Sequence, residues 1–288
     1  MEKRCLLKEC FGVDRIKLNC PAKLNLNLSV LSKRVDGMHE IKTHFQLINL
    51  FDELVIKKIS SKSISVKTNI AGQIEGKNNI VFNAIKALSD HIGKEIFCDV
   101  EIKKNIPLGG GLGGGSSNAA AALIGVNALF KLGLSIEELM MLGEKLGADV
   151  PFFVFGKNAH ASGIGEKLIE EKKHIDRKYL LLFPHIHSST RELFLKWDKL
   201  SKASQKSINL NEENSFLPIF LDEHKEIKEI FNELNKINSF KLSGTGSTIF
   251  CVYNDLKDIE KTMKKIPPKW RHSFCEPLQC SPLLTLIE

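Results

Sequence analysis

The sequence predicts an α+β protein built from two lobes. Strand-like and helix-like segments are interleaved along its 288 residues, but they do not alternate as regularly as in a doubly wound parallel sheet. The pattern of these segments changes past about residue 160. With 43% hydrophobic residues, the chain can bury a substantial core. We therefore expect an N-terminal domain over residues 1–160 and a C-terminal domain over residues 161–288.

Long alternating segments open the first domain. Arg15–Ser32 alternates polar and apolar residues, which predicts one strand or a pair of strands. Asp36-Gly37 follows as a turn signal. The next segments predict two strands, a helix ended by Gly93 and another strand, and they read "HFQLINLFDELVIKKI", "SISVKTN", "NNIVFNAIKALSDHIG" and "CDVEIKK".

Six glycines occupy seven positions in "IPLGGGLGGGSSNAAAAL", residues 106–123. Such a run is entropically costly, and it suits a loop that bends tightly around a ligand. The alanine-rich helix that follows is expected to start at Ser116, Ser117 or Asn118, which are good N-cap residues. The unpaired N–H groups and the dipole of that helix end favour a bound anion, phosphate first of all.

Other interpretations fit this glycine-rich segment poorly. A Walker A loop needs a Lys before its hydroxyl residue, and here Ser116 follows Gly115. Gly109, Gly111 and Gly114 satisfy the dinucleotide-binding fingerprint, but any glycine-rich run would do so. A flexible linker normally separates domains, whereas this segment lies between a predicted strand and a helix with an apolar face.

The elements after the glycine-rich segment are a capped helix, a short buried strand, an amphipathic helix, a strand–turn–strand unit and a last helix. They read "SIEELMMLGEKLG", "KYLLLFP", "HKEIKEIFNELNKI", "SFKLSGTGSTIFCVY" and "LKDIEKTMKKI". Ser135 and Glu138 give the first of these a capping box. The Ser243–Thr248 loop is either an ordinary turn or a source of backbone donors that approach the phosphate loop or the substrate.

Lys23, Asn25 and Asn27 share one face of the predicted first strand, because strand side chains alternate with a period of two. A cation and two amides in a strand whose other face is apolar can line a polar pocket. An exposed edge strand that carries a protective lysine explains the same residues equally well.

Asp149 lies between the end of a predicted helix and the apolar run Pro151–Phe155. A carboxylate in that place loses solvation unless it is paired. General bases and metal ligands are often placed in such surroundings. A turn before the proline is an equal alternative. His39 and His44 are five residues apart and do not share a strand face, so we do not expect them to bind a metal together, and a hydrogen-bonding His39 is the alternative.

The composition argues against several classes of protein. The net charge of +7 is spread along the chain, which fits binding of a polyanionic small substrate or merely reflects an organism whose proteins are rich in lysine. The chain lacks the basic stripe with interleaved aromatics that nucleic-acid binding would favour. The apolar stretches are too short to span a bilayer, and the start lacks the apolar centre of a signal peptide, so we expect a cytoplasmic protein. Seven cysteines without a C-x-x-C pair predict reduced structural thiols, not a zinc or disulfide framework.

Six segments together carry a resemblance that none of them carries alone. In chain order they are "PAKLNLNLSV", "DGMHEIKTHFQLI", "IPLGGGLGGGSSNAAAAL", "LGADVPFF", "GIGE" and "LSGTGSTIF". In that order they resemble the GHMP kinases, the family of galactokinase and of homoserine, mevalonate and phosphomevalonate kinases. The resemblance covers nearly the whole chain from about Lys17 onward. Within the family, the match is close to the member of the methylerythritol phosphate route to isoprenoids.

The resemblance implies transfer of the ATP γ-phosphate to the 2-hydroxyl of a cytidine-diphosphate-linked methylerythritol. It makes Lys23 and Asp149 the catalytic pair. Asp149 would accept the hydroxyl proton, while Lys23 would hold Asp149 ionised and lie close to the attacking oxygen. The loop that cradles the triphosphate would comprise Pro107, Leu108, Gly109, Gly110, Gly111, Leu112, Gly113, Gly114, Gly115, Ser116 and Ser117.

The resemblance also implies the remaining ligand residues. Met38 takes the place where the family commonly has an aromatic residue on one side of the cytosine, and a thioether can still pack against a ring. The adenine side would be bound by Asn79 and Lys104, and Ser117 would be a ligand of the Mg²⁺ that ATP chemistry implies. The cytidine pocket would otherwise comprise Asn25, His39, Thr190 and Phe194, with Phe194 stacked on the cytosine.

The fold implied by the resemblance is a ribosomal protein S5 domain 2-like N-terminal domain, with a left-handed crossover, joined to a ferredoxin-like C-terminal domain. We expect a monomer or homodimer that acts on a small molecule and binds neither nucleic acid nor a membrane. The alternatives are a GHMP kinase for homoserine or mevalonate, a nucleotide-binding protein without catalysis, and RNA binding through the S5-like lobe. The presence of both Lys23 and Asp149 speaks against a non-catalytic protein.

Overall fold

Two β-sheets form the centres of two lobes in the computed structural model, which describes residues 14–70, 76–173, 176–186, 188–211 and 213–287. This α+β architecture is the one that the sequence predicts. Among the described residues, the first sheet has six strands: β1 (Arg15–Lys33), β2 (His39–Lys58), β3 (Ile64–Thr68), β4 (Cys98–Lys103), β5 (Ala159–Ser162) and β6 (Lys167–Glu170). The second sheet, within the same ranges, has four: β7 (Lys178–Phe183), β8 (Phe240–Leu242), β9 (Ile249–Tyr253) and β10 (Arg271–Cys275).

Strand β2 joins most of the first sheet together. It pairs antiparallel with β1 along one edge, from His39 to Lys57. On its other edge, residues 53–58 pair with β4 and residues 43–45 pair with β5, both antiparallel. Strand β3 lies parallel to β4, and β6 lies antiparallel to β5. The turn between β1 and β2 includes Gly37 at a φ of 83°, as the Asp36-Gly37 signal predicts.

Four helices pack together against the first sheet in the described part of the chain: α1 (Ile80–Ile92), α2 (Gly114–Phe130), α3 (Ile136–Glu144) and α4 (Val150–Phe155). The predicted capping box of Ser135 and Glu138 starts α3, and Gly93 ends α1 in the left-handed conformation. The four consecutive alanines of α2, residues 119–122, are fully buried, because small side chains let this helix lie close to the sheet.

Helix α2 begins earlier than the sequence predicts. Ser116, Ser117 and Asn118 lie inside the helix, whose N-cap is Gly113 at a φ of 70°, without a side-chain cap. Glycine reaches this left-handed entry conformation readily, whereas a serine cap requires an extended backbone. The three polar residues are therefore carried into the first turn, at the end of the glycine-rich loop.

The second sheet is antiparallel throughout, with the strand order β10-β7-β9-β8. The predicted strand–turn–strand unit is confirmed as β8 and β9, and the two predicted helices of this lobe are confirmed as well. In the described residues, five helices accompany this sheet: α5 (Thr190–Lys199), α6 (Lys202–Asn211), α7 (Leu217–Glu223), α8 (Lys225–Asn235) and α9 (Leu256–Met263). The sequence interpretation missed β5, β6, β10, α4, α5, α6 and α7, most of which are short or carry few apolar residues.

Strand β1 is shared between the lobes. Its first half packs in the core under α1 and α2, whereas Leu28 and Val30 are buried in the core of the second lobe. The main chain is shared as well, because Leu28 N–H bonds to the carbonyl oxygen of Glu213 at 2.8 Å, and Ser215 N–H bonds to that of Leu28 at 2.8 Å. The lobes are therefore joined by a strand as well as by the connection between β6 and β7.

A β-bulge between Asn25 and Asn27 corrects one expectation about β1. Lys23 and Asn25 are buried, as a pocket-lining pair should be, but Asn27 is exposed and does not share their surroundings. The bulge adds a residue to one strand of the pair, which shifts the alternation of side chains beyond it. The period-two argument therefore holds up to Asn25 and fails after it.

The two sheets divide the chain between Glu170 and Lys178, later than the division at residue 160 that the sequence suggests. The hairpin β5–β6 pairs with β2 through residues 159–161 and thus belongs to the first sheet. The domain boundary stays a proposal, and the sheets favour a place just before β7.

Two expectations from composition concern helices and thiols. Among the described residues, no helix is both long and apolar enough to cross a membrane. Cys20, Cys98 and Cys251 are buried free thiols, and burial raises the pKa of each to about 12, so they are unreactive packing residues. Cys5 and Cys10, which the sequence analysis also treated as structural thiols, lie outside the described residues.

Candidate active site

A cavity of about 820 Å³ lies between the two lobes. Its walls are the glycine loop, which we define as residues 107–116, part of β1, the turn before β2, Ala148 and Asp149 at the start of α4, and α5 together with residues 244–246 of the second lobe. A volume of this size is typical of pockets that enclose small molecules. Because both lobes supply walls, a ligand that fills the cavity touches both.

The glycine loop follows a path that side chains would block. Gly111 has a φ of 71°, and a Cβ added there would lie 2.1 Å from the carbonyl oxygen of Ser243. Gly113 has a φ of 70°, and a Cβ there would lie 2.7 Å from the Phe153 ring. The loop is also tied to β1, because Lys23 N–H bonds to the Leu112 carbonyl oxygen at 3.0 Å. The backbone therefore reaches the cavity without side chains between it and a ligand.

The Ser243–Thr248 loop of the second lobe approaches the glycine loop. It is therefore more than an ordinary turn, because its backbone donors reach the predicted phosphate loop. Ser247 N–H and Thr248 N–H bond to the carbonyl oxygens of Gly109 and Gly110 at 3.3 and 3.2 Å. The Ser243 hydroxyl donates to the Gly111 carbonyl oxygen at 3.0 Å. These bonds occupy carbonyl oxygens of the glycine loop and leave its N–H groups for an anion.

Lys23 and Asp149 meet at the cavity. The Lys23 Nζ lies 3.5 Å from the Asp149 Oδ2, and it donates to the Gly111 carbonyl oxygen at 3.0 Å and to the Asn25 side chain. The lysine side chain is 4% exposed and the aspartate side chain is 33% exposed. Burial lowers the pKa of Lys23 below its usual value, and Asp149 opposes that change. A buried ammonium thus faces a carboxylate that remains open to the cavity.

Asn25 is held between the lobes. Its side-chain amide donates to the Thr43 hydroxyl at 2.8 Å, and its backbone N–H bonds to the Ser243 hydroxyl at 3.3 Å. The Lys23 ammonium donates to the side-chain oxygen of Asn25. The orientation of the amide is fixed by these partners, so Asn25 presents a rigid polar edge beside Lys23.

Asp52 organises the root of the glycine loop, and the sequence interpretation did not single it out. Its buried carboxylate accepts from the backbone N–H groups of Asn105 and Ile106 at 2.7 and 2.8 Å and pairs with Lys104. Asn118 of α2 joins the same cluster, donating to Asp52 at 3.1 Å and accepting from Lys104 at 2.8 Å. Lys104 lines the cavity, yet its ammonium is used to fix the loop to the helix.

Of the residues predicted to bind ligands, all of which are described, Asn79 and Ser117 alone do not line the cavity. Asn79 is the N-cap of α1, where its side chain accepts from Val81 N–H at 2.9 Å. Ser117 is fully buried in the first turn of α2, and its hydroxyl has no hydrogen-bond partner among the described residues. A buried hydroxyl without a partner is unusual, so a ligand at that turn would satisfy it.

The second-lobe wall is built on α5. Phe194 stacks against His39 with a centroid distance of 4.7 Å, and the His39 Nε2 lies 2.6 Å from the Asp198 Oδ1. The Thr190 hydroxyl lies 2.9 Å from the Thr245 hydroxyl. Met38 is 46% exposed and lines the cavity. The predicted cytidine residues therefore lie together, but one face of Phe194 is already in contact with the imidazole.

Asp198 and Arg191 also line this wall, and the sequence interpretation did not name them. Burial alone would raise the pKa of Asp198, but hydrogen bonds from Lys33 and His39 outweigh it and lower the pKa. The missing signal is the spacing: Thr190, Phe194 and Asp198 recur every four residues, which places them on one face of a helix. Recognising α5 as a helix would have identified Asp198.

The arrangement suits the binding and transfer of a phosphoryl group. Backbone N–H groups at the start of a helix attract phosphate, and a nearby carboxylate can take a proton from an attacking hydroxyl. A lysine between them neutralises charge as it develops. These are the parts that phosphoryl transfer needs, because most of its catalysis comes from positioning and charge stabilisation.

Comparisons with known proteins agree with this chemistry. The chain matches the models for the GHMP kinases N terminal domain over residues 79–157 and for the GHMP kinases C terminal over residues 197–271. It is 36% identical, over 94% of its length and 90% of the other, to a 4-diphosphocytidyl-2-C-methyl-D-erythritol kinase of Marinomonas sp. (strain MWYL1).

Solved structures show the same similarity in three dimensions. A 4-(cytidine 5'-diphospho)-2C-methyl-D-erythritol kinase superposes with a TM-score of 0.72 at 26% identity, covering 91% of this chain and 99% of that one. A homoserine kinase from Cytophaga hutchinsonii shares the fold with a TM-score of 0.69 at 15% identity, covering 96% and 98%.

The chain therefore has the two-lobed GHMP kinase fold and belongs to this family of ATP-dependent kinases. Within the family, it belongs with the 4-diphosphocytidyl-2-C-methyl-D-erythritol kinases, to which it is related over most of its length.

Proposed function

We propose that the chain transfers the γ-phosphate of ATP to the 2-hydroxyl of 4-diphosphocytidyl-2-C-methyl-D-erythritol, a step of the methylerythritol phosphate (non-mevalonate) pathway to isoprenoid precursors. The observation that carries the proposal is the meeting of Lys23, Asp149 and the glycine loop in one cavity, with a Nζ–Oδ2 distance of 3.5 Å. The names of its relatives supply the substrate.

Lys23 and Asp149 act on the reacting hydroxyl. Asp149 accepts its proton as the oxygen attacks the γ-phosphorus, and it can do so because its carboxylate faces the cavity. Lys23 pairs with the carboxylate and places a positive charge beside the attacking oxygen. Asn25 and the Gly111 carbonyl oxygen hold the ammonium in place.

The glycine loop and the first turn of α2 bind the triphosphate through backbone N–H groups. When bound, Mg²⁺ would supply positive charge that offsets the charge of the triphosphate. The unpaired, buried hydroxyl of Ser117 fits a ligand of this ion, since a hydroxyl oxygen is a hard donor. Lys104 anchors the loop on the adenine side, and we retain Asn79 there as a residue that acts through α1.

The cytidine is bound by the second-lobe wall. Phe194 and Met38 pack against the base, while His39, Asn25 and Thr190 offer polar contacts. Because Phe194 already contacts His39 on one face, the cytosine uses its remaining surface or displaces the imidazole. A small-molecule substrate held by both lobes needs no partner, so we propose a monomer or homodimer. We propose a cytoplasmic location, because the reaction uses ATP and because the cysteines that the structure describes are free thiols.

A coupled assay with three alcohols tests the proposal. ATP consumption is measured with the cytidine-diphosphate alcohol, with homoserine and with mevalonate, and the product is located by phosphorus NMR. We expect turnover with the cytidine-diphosphate alcohol alone and a new phosphate on its 2-hydroxyl. Turnover of homoserine or mevalonate without turnover of the cytidine compound would instead assign another GHMP kinase activity, and no turnover with any alcohol would indicate a nucleotide-binding protein.

A further inference from the structure

Two histidines and a glutamate meet on the first sheet, outside the cavity between the lobes. His44 of β2 lies directly opposite His160 of β5, and Glu171 follows β6. The two imidazole rings are 4.3 Å apart, and the His160 Nε2 lies 3.1 Å from the Glu171 Oε2. One ligand atom from each of the three residues lies within 4.8 Å of the others.

The chain leaves one of these atoms unsatisfied. The His44 Nε2 is buried and has no hydrogen-bond partner in the described part of the chain. A buried polar atom in that state costs free energy that a bound ligand would recover. His44 was set aside in the sequence analysis because His39 could not join it, but the partner that pairing brings to it is His160, from a strand more than a hundred residues away.

The surroundings of His44 and Glu171 shift the pKa values of these two groups. Burial, followed by the nearby His160, lowers the pKa of His44. A hydrogen bond from Lys173 N–H, followed by the contact with His160, lowers the pKa of Glu171 and keeps its carboxylate ionised.

We propose that His44, His160 and Glu171 form a binding site for a divalent transition-metal ion of the zinc type. Two imidazole nitrogens and one carboxylate oxygen are a zinc donor set that leaves a fourth position for water, whereas Mg²⁺ prefers oxygen donors alone. Donors around one zinc ion lie about 3.3 Å apart, so the side chains need to close only slightly. His160 and Glu171 can do this because their side chains are 56% and 21% exposed.

The ion would link three separate parts of the first sheet. His44 belongs to β2, and the hairpin β5–β6 is held to β2 by the pairing of residues 43–45. The same hairpin follows α4, whose N-cap is Asp149. A metal that binds the folded chain stabilises it by mass action, so zinc should raise the melting temperature.

Metal titration of the full chain tests the proposal. Zn²⁺ is titrated in competition with a chromophoric chelator, Co²⁺ is followed by its visible absorption, and Mg²⁺ serves as the oxygen-preferring control ion. The variants are His160→Ala and Glu171→Gln, and the control is His272→Ala, an exposed histidine of β10. His160 is exposed, and Glu171 is half-buried but keeps its size in Glu171→Gln, so folding should be retained. The melting temperature without metal checks this.

We expect the wild type and His272→Ala to bind one Zn²⁺ per chain, and each variant to bind it about tenfold or more weakly. Zinc should raise the melting temperature of the wild type and the control only. Zinc binding of equal strength in the wild type and both variants, or a wild type that binds no zinc, would overturn the proposal.

Discussion

Lys23 is a buried cation, and its charge costs the folded state free energy. Its pKa is lowered from 10.5, so between the lowered value and 10.5 the unfolded chain binds more protons than the folded chain. Below the lowered pKa the full cost applies, about 1.4 kcal/mol for each pKa unit, and the cost disappears as the pH rises through 10.5. The protein accepts this cost to keep an ammonium beside Asp149.

Replacing Lys23 by Met should therefore abolish turnover without loss of stability at pH 7. Denaturant unfolding of the wild type and Lys23→Met is measured from pH 7 to pH 10.5. We expect the variant to be at least as stable at pH 7, and the wild type to gain on it as the pH rises. A variant that is less stable by the same amount at every pH would contradict this account of the ion pair.

Asp149→Asn should preserve ATP binding and lower kcat by a factor of about 10² or more. The amide keeps the size of the side chain but cannot accept the hydroxyl proton. Single-turnover kinetics separate this loss from any effect on product release, and a thermal shift with ATP checks binding. Turnover close to that of the wild type would remove Asp149 from the mechanism.

Asp198→Asn tests a residue that acts through His39. The variant weakens a charge-assisted hydrogen bond of 2.6 Å, so the KM for the cytidine substrate should rise by about tenfold, with kcat and the KM for ATP unchanged. Asp222→Asn, at an exposed position of the same lobe, is the control and should change none of these values. A loss of kcat, or an equal rise of the KM for the cytidine substrate and the KM for ATP, would argue that Asp198 merely holds α5 in place.

The sequence predicts the reactive pair but not its supports. Lys23 and Asp149 can be found because each is a charged residue in an apolar segment. Asp52 also lies in an apolar segment, but its role depends on the main-chain N–H groups of Asn105 and Ile106, more than fifty residues away, which no local pattern indicates. The bulge that removes Asn27 from the pocket face is equally silent in the sequence, because it depends on the pairing with β2.

Among the elements, the glycine loop is the one that tolerates least change. Gly111→Ala would place a Cβ against the Ser243 carbonyl oxygen and would strain a φ of 71°. We expect loss of ATP binding and a melting temperature several degrees lower, corresponding to about 1–3 kcal/mol.

Gly115→Ala is the matched control for folding. This glycine lies inside α2, and a Cβ added there meets nothing within 4 Å. The substitution should leave stability unchanged or raise it by up to about 1 kcal/mol, because alanine favours a helix. Thermal unfolding of both variants decides the point, and an equal loss in the two would mean that the loop is not specifically constrained.

Long, periodic elements were predictable and short ones were not. Apolar spacing and capping residues, such as the capping box at Ser135, predict the helices α1, α3, α8 and α9. Strands β5 and β6 have four residues each, which is too few for a periodic signal. The start of α2 was misplaced because a glycine cap leaves no side-chain signature.

The whole molecule should respond to ligands of each wall separately. We propose that ATP binds the glycine loop of the first lobe and that cytidine diphosphate (CDP) binds the second-lobe wall. Either ligand alone should then raise the melting temperature, and the added stability should be about 2.7 kcal/mol at a hundredfold excess over Kd. Phe194→Ala should lose the effect of CDP and keep that of ATP. Phe274→Ala, an exposed residue of β10, should keep both. A Phe194→Ala protein that CDP stabilises normally would exclude this residue from the cytidine site.

The two-lobed architecture is predictable, but the junction between the lobes is not. The change of pattern near residue 160 indicates a second domain, whereas the pairing of β5 with β2 is a long-range contact that no local window contains. The handedness of the crossover through α1 also stays an expectation from family resemblance, because local patterning contains no information about it.

The shared strand β1 has a consequence for the order of folding. The second core is incomplete without Leu28 and Val30, and the bond from Val30 N–H to the Ser215 hydroxyl joins residues 185 apart in sequence. Closing so long a loop is slow compared with forming the β1–β2 hairpin, whose strands are adjacent. During synthesis, Leu28 and Val30 at the end of β1 therefore stay exposed to solvent until the last third of the chain has been synthesised.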